Sequence, residues 1–133
     1  NGFTYEEMKM INETKKIMEA PDMSVAATCV RVPVVSGHSE SVYIEIDQEA
    51  TIQEIFEVLK DAPGVVLQDD ITQQLYPMPI FAENDDATFV GRIRQDLDNK
   101  KGFHLWIVSD NLLKGAALNS IQIAEAMLED NLL

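Results

Sequence analysis

Two periods of hydrophobic positions alternate along this chain. Met8, Ile11 and Met18 recur at helical spacing behind a Thr4–Glu7 capping-box pattern, so residues 4–19 are predicted as a helix that Ala20-Pro21-Asp22 ends. Two runs then read as strands, at 25–35 and 39–47. In the second, Val42, Ile44 and Ile46 alternate with Tyr43, Glu45 and Asp47. Thr51 and Glu54 repeat the capping pattern and start a second helix whose stripe is Ile52, Ile55, Phe56 and Leu59. Pro63-Gly64 stops it, and Val65-Val66-Leu67 is a short strand. The strand–helix–strand succession predicts a crossover unit, hence a mixed sheet. Residues 69–86 read mostly as loop. Strands follow at 88–95 and 103–109, and Asp110 or Asn111 caps a last helix carrying Ala116, Ala117, Ile121, Ala124 and Leu128. The expected class is α+β: one mixed, largely antiparallel sheet of roughly five strands with helices packed on one face, in a single domain over residues 1–133.

That layout leaves the second face of the sheet to be explained. Thr28, Val30, Val32 and Val34 share a face of the first run, and the last strand alternates Phe103, Leu105 and Ile107 with His104, Trp106 and Val108. Several strands are therefore apolar on both sides. The expected use of the second face is burial against another domain or a second copy, that is, dimerisation; the alternative is that loop 69–86 folds over it.

Charge narrows the partners. With 23 acidic and 10 basic residues the net charge is -13, which argues against nucleic acid and against an anionic membrane surface. No run approaches the length of a membrane span. One cysteine permits no internal disulfide and fits a reducing, cytoplasmic setting. The chain opens on Asn1 and passes almost at once into a helix, which reads as a piece of something longer.

The candidate chemistry gathers at Cys29-Val30-Arg31-Val32-Pro33-Val34-Val35-Ser36-Gly37-His38. An arginine within a valine strand is costly unless it meets an anion or its head reaches water, and a histidine just past a glycine sits where a turn can aim it into a cleft. Cys29 and His38 lie close enough to invite a Cys–His dyad, but a thiol among valines is disfavoured from ionising, so Cys29 reads as packing. His104, with no acid beside it in sequence, reads as structural. Two scattered histidines and one cysteine give no zinc spacing. Arg92 and Arg94 offer either an anion contact or rim salt bridges. Glu6 and Lys9, at i and i+3, share a helix face and form either a surface ion pair or two arms of one site.

In order along the chain, Glu6-Glu7-Met8-Lys9, Thr28-Cys29-Val30-Arg31-Val32-Pro33-Val34, Gly37-His38-Ser39-Glu40-Ser41, Val90-Gly91-Arg92-Ile93-Arg94 and Ser109-Asp110-Asn111-Leu112-Leu113-Lys114-Gly115-Ala116-Ala117-Leu118-Asn119-Ser120 resemble the latter part of the aspartate-semialdehyde dehydrogenase family. The resemblance implies an NADP-dependent oxidoreductase of lysine, threonine and methionine biosynthesis. Such enzymes interconvert aspartyl phosphate and aspartate semialdehyde, with phosphate, through a cysteine thioester. It implies that His38 is the general acid/base, that Arg31 holds the substrate carboxylate, that Glu6 (or Glu7) receives the substrate ammonium and that Lys9 helps bind phosphate. Asn111 is implied as a contact to the nicotinamide end of the cofactor, and the region as the homodimer contact. No G-x-G-x-x-G loop occurs here, so the nucleotide-binding domain and the nucleophilic cysteine are expected to lie outside this chain, which alone is expected to be inactive. Two other readings stay open: a non-catalytic dimerisation or interaction module, and a related reductase such as that acting on N-acetyl-glutamyl phosphate. A glutamate awaiting a free ammonium speaks against the latter.

Overall fold

The computed structural model describes residues 1–132 and divides into two compact units, Asn1–Pro33 and one beginning at Val34. In the first, helix α1 (Tyr5–Ile17) starts on a complete capping box. The Thr4 hydroxyl accepts from the Glu7 N–H, and the Glu7 carboxylate accepts from the Thr4 N–H. Lys15 and Lys16 in the last turn suit the negative end of the helix.

The strand expected at 25–35 is not one. Residues 24–34 form neither helix nor strand and join no ladder among the described residues. Met23, Val25, Ala27 and Cys29 are half-buried in alternation, whereas Val30, Val32 and Val34 are exposed. β-Branched residues favour extended backbone, but a strand also needs a neighbouring edge, which propensity does not supply.

Among the described residues the second unit holds a sheet of four strands where about five were expected, in the order β1-β4-β3-β2. Its strands are β1 (His38–Glu45), β2 (Val65–Leu67), β3 (Thr88–Gln95) and β4 (Gly102–Ser109). The β1–β4 and β3–β4 ladders are antiparallel and β2–β3 is parallel, so the sheet is mixed as expected. Two crossovers build it. Helix α2 (Ile52–Lys60) carries the chain from one edge strand to the other, and residues 68–87, with the single-turn helix α3 (Pro79–Ala82), return it to β3.

Each face has its own core. On one, Val90, Ile93, Phe103 and Leu105 are buried beneath Ile52, Ile55, Phe56 and Leu59 of α2, the stripe read from the sequence. On the other, Phe89 and Val108 are buried with Ala82, beside Ala87 and Trp106. The Trp106 indole donates to the Pro77 carbonyl at 2.9 Å. Segment 68–87 thus covers part of the second face, leaving Ser41 and Tyr43 of β1 exposed there.

β3 is bent by a bulge between Gly91 and Arg94, where Arg92 takes φ +52° and Asp69 accepts the Ile93 N–H at 2.8 Å. Gly91 leaves room for the crossover: a Cβ there would lie 2.1 Å from the Gln68 carbonyl oxygen. After β4 the chain makes a π-helical turn, Leu113–Ala117, and continues as α4 (Leu118–Glu129). α4 does not bury its apolar face as the pattern led one to expect. Ile121 and Leu128 are 57% and 62% exposed, because none of the described residues covers that side. Among the described residues, no helix is long and apolar enough to cross a membrane.

Candidate functional site

Three of the candidate residues lie in the first unit. Glu6 and Lys9 stand exposed on one face of α1, with Lys9 Nζ 3.6 Å from a Glu6 carboxylate oxygen. The i,i+3 ion pair therefore forms. With both ends in water it adds little stability and is easily exchanged for a ligand. Glu7 is occupied otherwise. Its carboxylate accepts from the N–H groups of Thr4 at 2.7 Å and Cys29 at 2.9 Å, and the residue is only 9% exposed. The Thr4 and Cys29 donors hold its carboxyl below the ordinary value of 4.5. Of the two glutamates, Glu6 is thus the one whose carboxylate remains open.

Arg31 is exposed on the segment after α1, two residues beyond Cys29, and pairs with no carboxylate among the described residues. Cys29 is half-buried with its Sγ 3.4 Å from the Met10 Sδ, in keeping with a packing role. The sequence offered Glu7 two tasks, the cap and, in place of Glu6, the substrate ammonium. Its second bond, to Cys29, spans 22 residues and leaves no local signal.

His38 and Asn111 belong to the second unit. His38 opens β1, exposed, in register with Ser109 of β4. The preceding Gly37 is buried at φ +87°, where a Cβ would press on Pro79 and on the Ser109 carbonyl at 3.2 and 3.3 Å. The Gly37 N–H donates to Asn111 Oδ1 at 3.0 Å. Asn111, expected from the resemblance to face the cofactor, therefore already holds the turn that presents His38.

The last helix does not begin on Asp110 or Asn111 as expected, since the π-helical turn starts from Leu112 and α4 from Ala117; Asp110, just before Asn111, instead holds the turn that leads there. It is 3% exposed and accepts the N–H groups of Asn84 at 2.9 Å, Leu112 at 2.8 Å and Leu113 at 3.4 Å. Those donors, Asn84 foremost, lower its pKa from the ordinary 3.8. One carboxylate thus fixes the turn into the last helix and ties it to the end of the α3 crossover.

The remaining candidates sort by geometry. Arg92 and Arg94 line one open groove of about 340 Å³ with Ser41, Tyr76, Pro77 and Trp106. Arg94 donates to the Arg92 carbonyl, and among the described residues neither arginine forms the rim salt bridge expected as the plain alternative. His104 does have an acid partner, contrary to expectation. The β3–β4 turn brings Asp96 back to 2.9 Å from its Nε2, and its ring packs 5.0 Å from that of Tyr43. That bond lowers the Asp96 pKa from 3.8, and the pair ties the hairpin together. No group of three or more metal-ligating side chains occurs among the described residues.

Known proteins match this arrangement along its length. The family model described as "Semialdehyde dehydrogenase, dimerisation domain" matches residues 1–114. The aspartate-semialdehyde dehydrogenase of Bacillus subtilis (strain 168) is 68% identical over 133 residues, covering 99% of this chain and 38% of that protein. The crystal structure of aspartate semialdehyde dehydrogenase II of Vibrio cholerae, complexed with ASA, superposes with a TM-score of 0.90 at 40% identity, covering 98% of this chain and 38% of that one. The enzyme of Candida albicans, solved with NADP, gives 0.78 at 26% identity, over 98% and 44%. The chain spans well under half the length of these relatives. A match of that extent, over a sheet and a Gly37–His38 turn built as described, shows that the chain belongs to the semialdehyde dehydrogenase dimerisation-domain family.

Proposed function

We propose that this chain is the substrate-binding and dimerisation part of an NADP-dependent aspartate-semialdehyde dehydrogenase, which interconverts aspartyl phosphate and aspartate 4-semialdehyde through a thioester on a cysteine outside residues 1–133. The observation that carries the proposal is the 68% identity with the Bacillus subtilis enzyme across 99% of the chain.

The residues have the chemistry the reaction asks for. His38, exposed beside a turn held by Asn111, presents an imidazole, a group able to serve as general acid and general base. Arg31, exposed and without an ion pair among the described residues, presents a guanidinium fork that can bind a carboxylate through two parallel hydrogen bonds. Glu6 offers a carboxylate to an ammonium group, and Lys9 an ammonium to phosphate. The dinucleotide, which supplies the hydride chemistry when bound, finds no glycine-rich phosphate loop in this sequence. The contribution of this chain is Asn111, whose amide nitrogen bonds to none of the described residues while its oxygen holds Gly37. The exposed apolar side of α4 is the surface we assign to the rest of the enzyme, and the uncovered β1 part of the second sheet face to a second copy.

Arg31→Lys in the intact enzyme tests the assignment. It keeps the charge and loses the fork, so KM for aspartate semialdehyde should rise about tenfold or more while KM for NADP stays put. The isolated chain should neither turn over nor bind NADP tightly. An unchanged amino-acid KM, or dehydrogenase turnover by residues 1–133 alone, contradicts the proposal.

A further inference from the structure

Two capping boxes in this protein have the same chemistry and different outcomes. In α2, Glu54 accepts the Thr51 N–H at 2.7 Å and stays exposed; its remaining bond is to the Thr51 hydroxyl. In α1, Glu7 closes the same motif with one oxygen, Oε2 to the Thr4 N–H, and is buried. Its other oxygen accepts the N–H of Cys29. Capping needs only the first bond. The second therefore serves something else, and it lands on a segment that joins no strand ladder among the described residues.

That segment carries Arg31. Arg31 stands two residues beyond Cys29, so fixing the Cys29 amide restrains the stretch from which the guanidinium projects. On the other side of the carboxylate, Glu7 is flanked on α1 by Glu6 and, two residues on, by Lys9. One buried anion thus joins the helix bearing two of the proposed substrate contacts to the segment bearing the third. Both bonds are charge-assisted, the stronger kind, and they are retained only while the group is ionised, the state the two N–H donors favour.

We propose that Glu7 is a positioning residue, setting Arg31 against Glu6 and Lys9 so that the three engage one amino-acid substrate. The proposal rests on the functional reading above, and the experiment separates the two. Glu7→Gln in the intact enzyme keeps the shape but has one acceptor oxygen for two N–H donors. Its KM for aspartate semialdehyde should rise roughly tenfold, with kcat within about threefold and KM for NADP unchanged. Cys29→Pro removes the donor from the opposite side, leaves the cap intact and should raise KM alike, which keeps the test alive should Glu7→Gln fold poorly. Thr4→Ala deletes the capping hydroxyl but not the Glu7–Cys29 bond. It should lower the thermal midpoint and leave KM alone, as a purely structural role of Glu7 would also do. If Arg31→Lys raises KM while Glu7→Gln and Cys29→Pro leave it within about twofold, the positioning role is overturned and the functional reading stands. If Arg31→Lys itself leaves KM unchanged, both fall.

Discussion

The side-chain oxygen of Asn111 accepts the backbone N–H of Gly37 at 3.0 Å, joining residues 74 apart in sequence at the turn that presents His38. Gly37 is buried, so its N–H has no water to fall back on. Asn111→Ala should cost about 1–3 kcal/mol of stability, the penalty of an orphaned buried donor. Asn111→Asp keeps an acceptor at that place and should recover most of the loss. Urea unfolding of the two variants checks this; equal losses would show that the bond contributes nothing.

Acid should loosen the same region through Asp110. Its pKa is lowered in the folded protein by the Asn84 and Leu112 N–H groups. Its contribution is therefore complete above the ordinary 3.8 and lost as pH falls from there through the lower folded value. Glu7 and Asp96 behave in the same sense from 4.5 and 3.8. Asp110→Asn cannot titrate, so its urea midpoint should drop less between about pH 6 and pH 3 than that of the unmodified protein. An identical drop in both would remove Asp110 from the account.

What was legible in the sequence had local causes. α1 and α2 begin where their Thr–x–x–Glu boxes place them, and β3 and β4 span the apolar runs read as strands. The misreadings share a different cause. The run at 25–35 has the β-branched composition of a strand, but pairing depends on an edge that local sequence does not reveal. The pattern of α4 marks its apolar side without telling whether anything covers it. His104 looked unpartnered because Asp96 reaches it only through the hairpin turn. At the candidate site, residue types were readable and the bonds that hold them were not, since Glu7–Cys29 and Asn111–Gly37 join distant parts of the chain.

The second face of the sheet gives a prediction about assembly. Segment 68–87 covers Phe89 and Val108, but Tyr43 remains 48% exposed and Ser41 lines the open groove with Arg92, Arg94 and Trp106. A symmetric pair of copies is the commonest way to cover such a surface. The protein should sediment as a dimer at micromolar concentration. Ser41→Arg, which adds a third positive charge beside Arg92 and Arg94, should give monomers of unchanged circular dichroism. A 14.9 kDa monomer for the unmodified chain would contradict this.

In the proposed aspartate-semialdehyde dehydrogenase reaction, His38 is the residue that moves protons. The intact enzyme, assayed with aspartate semialdehyde, phosphate and NADP, tests it most directly by comparison with His38→Asn. Loss of a general acid/base should lower kcat by about 10²–10⁴-fold and change KM for the semialdehyde only a few-fold. A variant that keeps kcat near that of the unmodified enzyme, or an unmodified enzyme without activity on that substrate, would contradict the account.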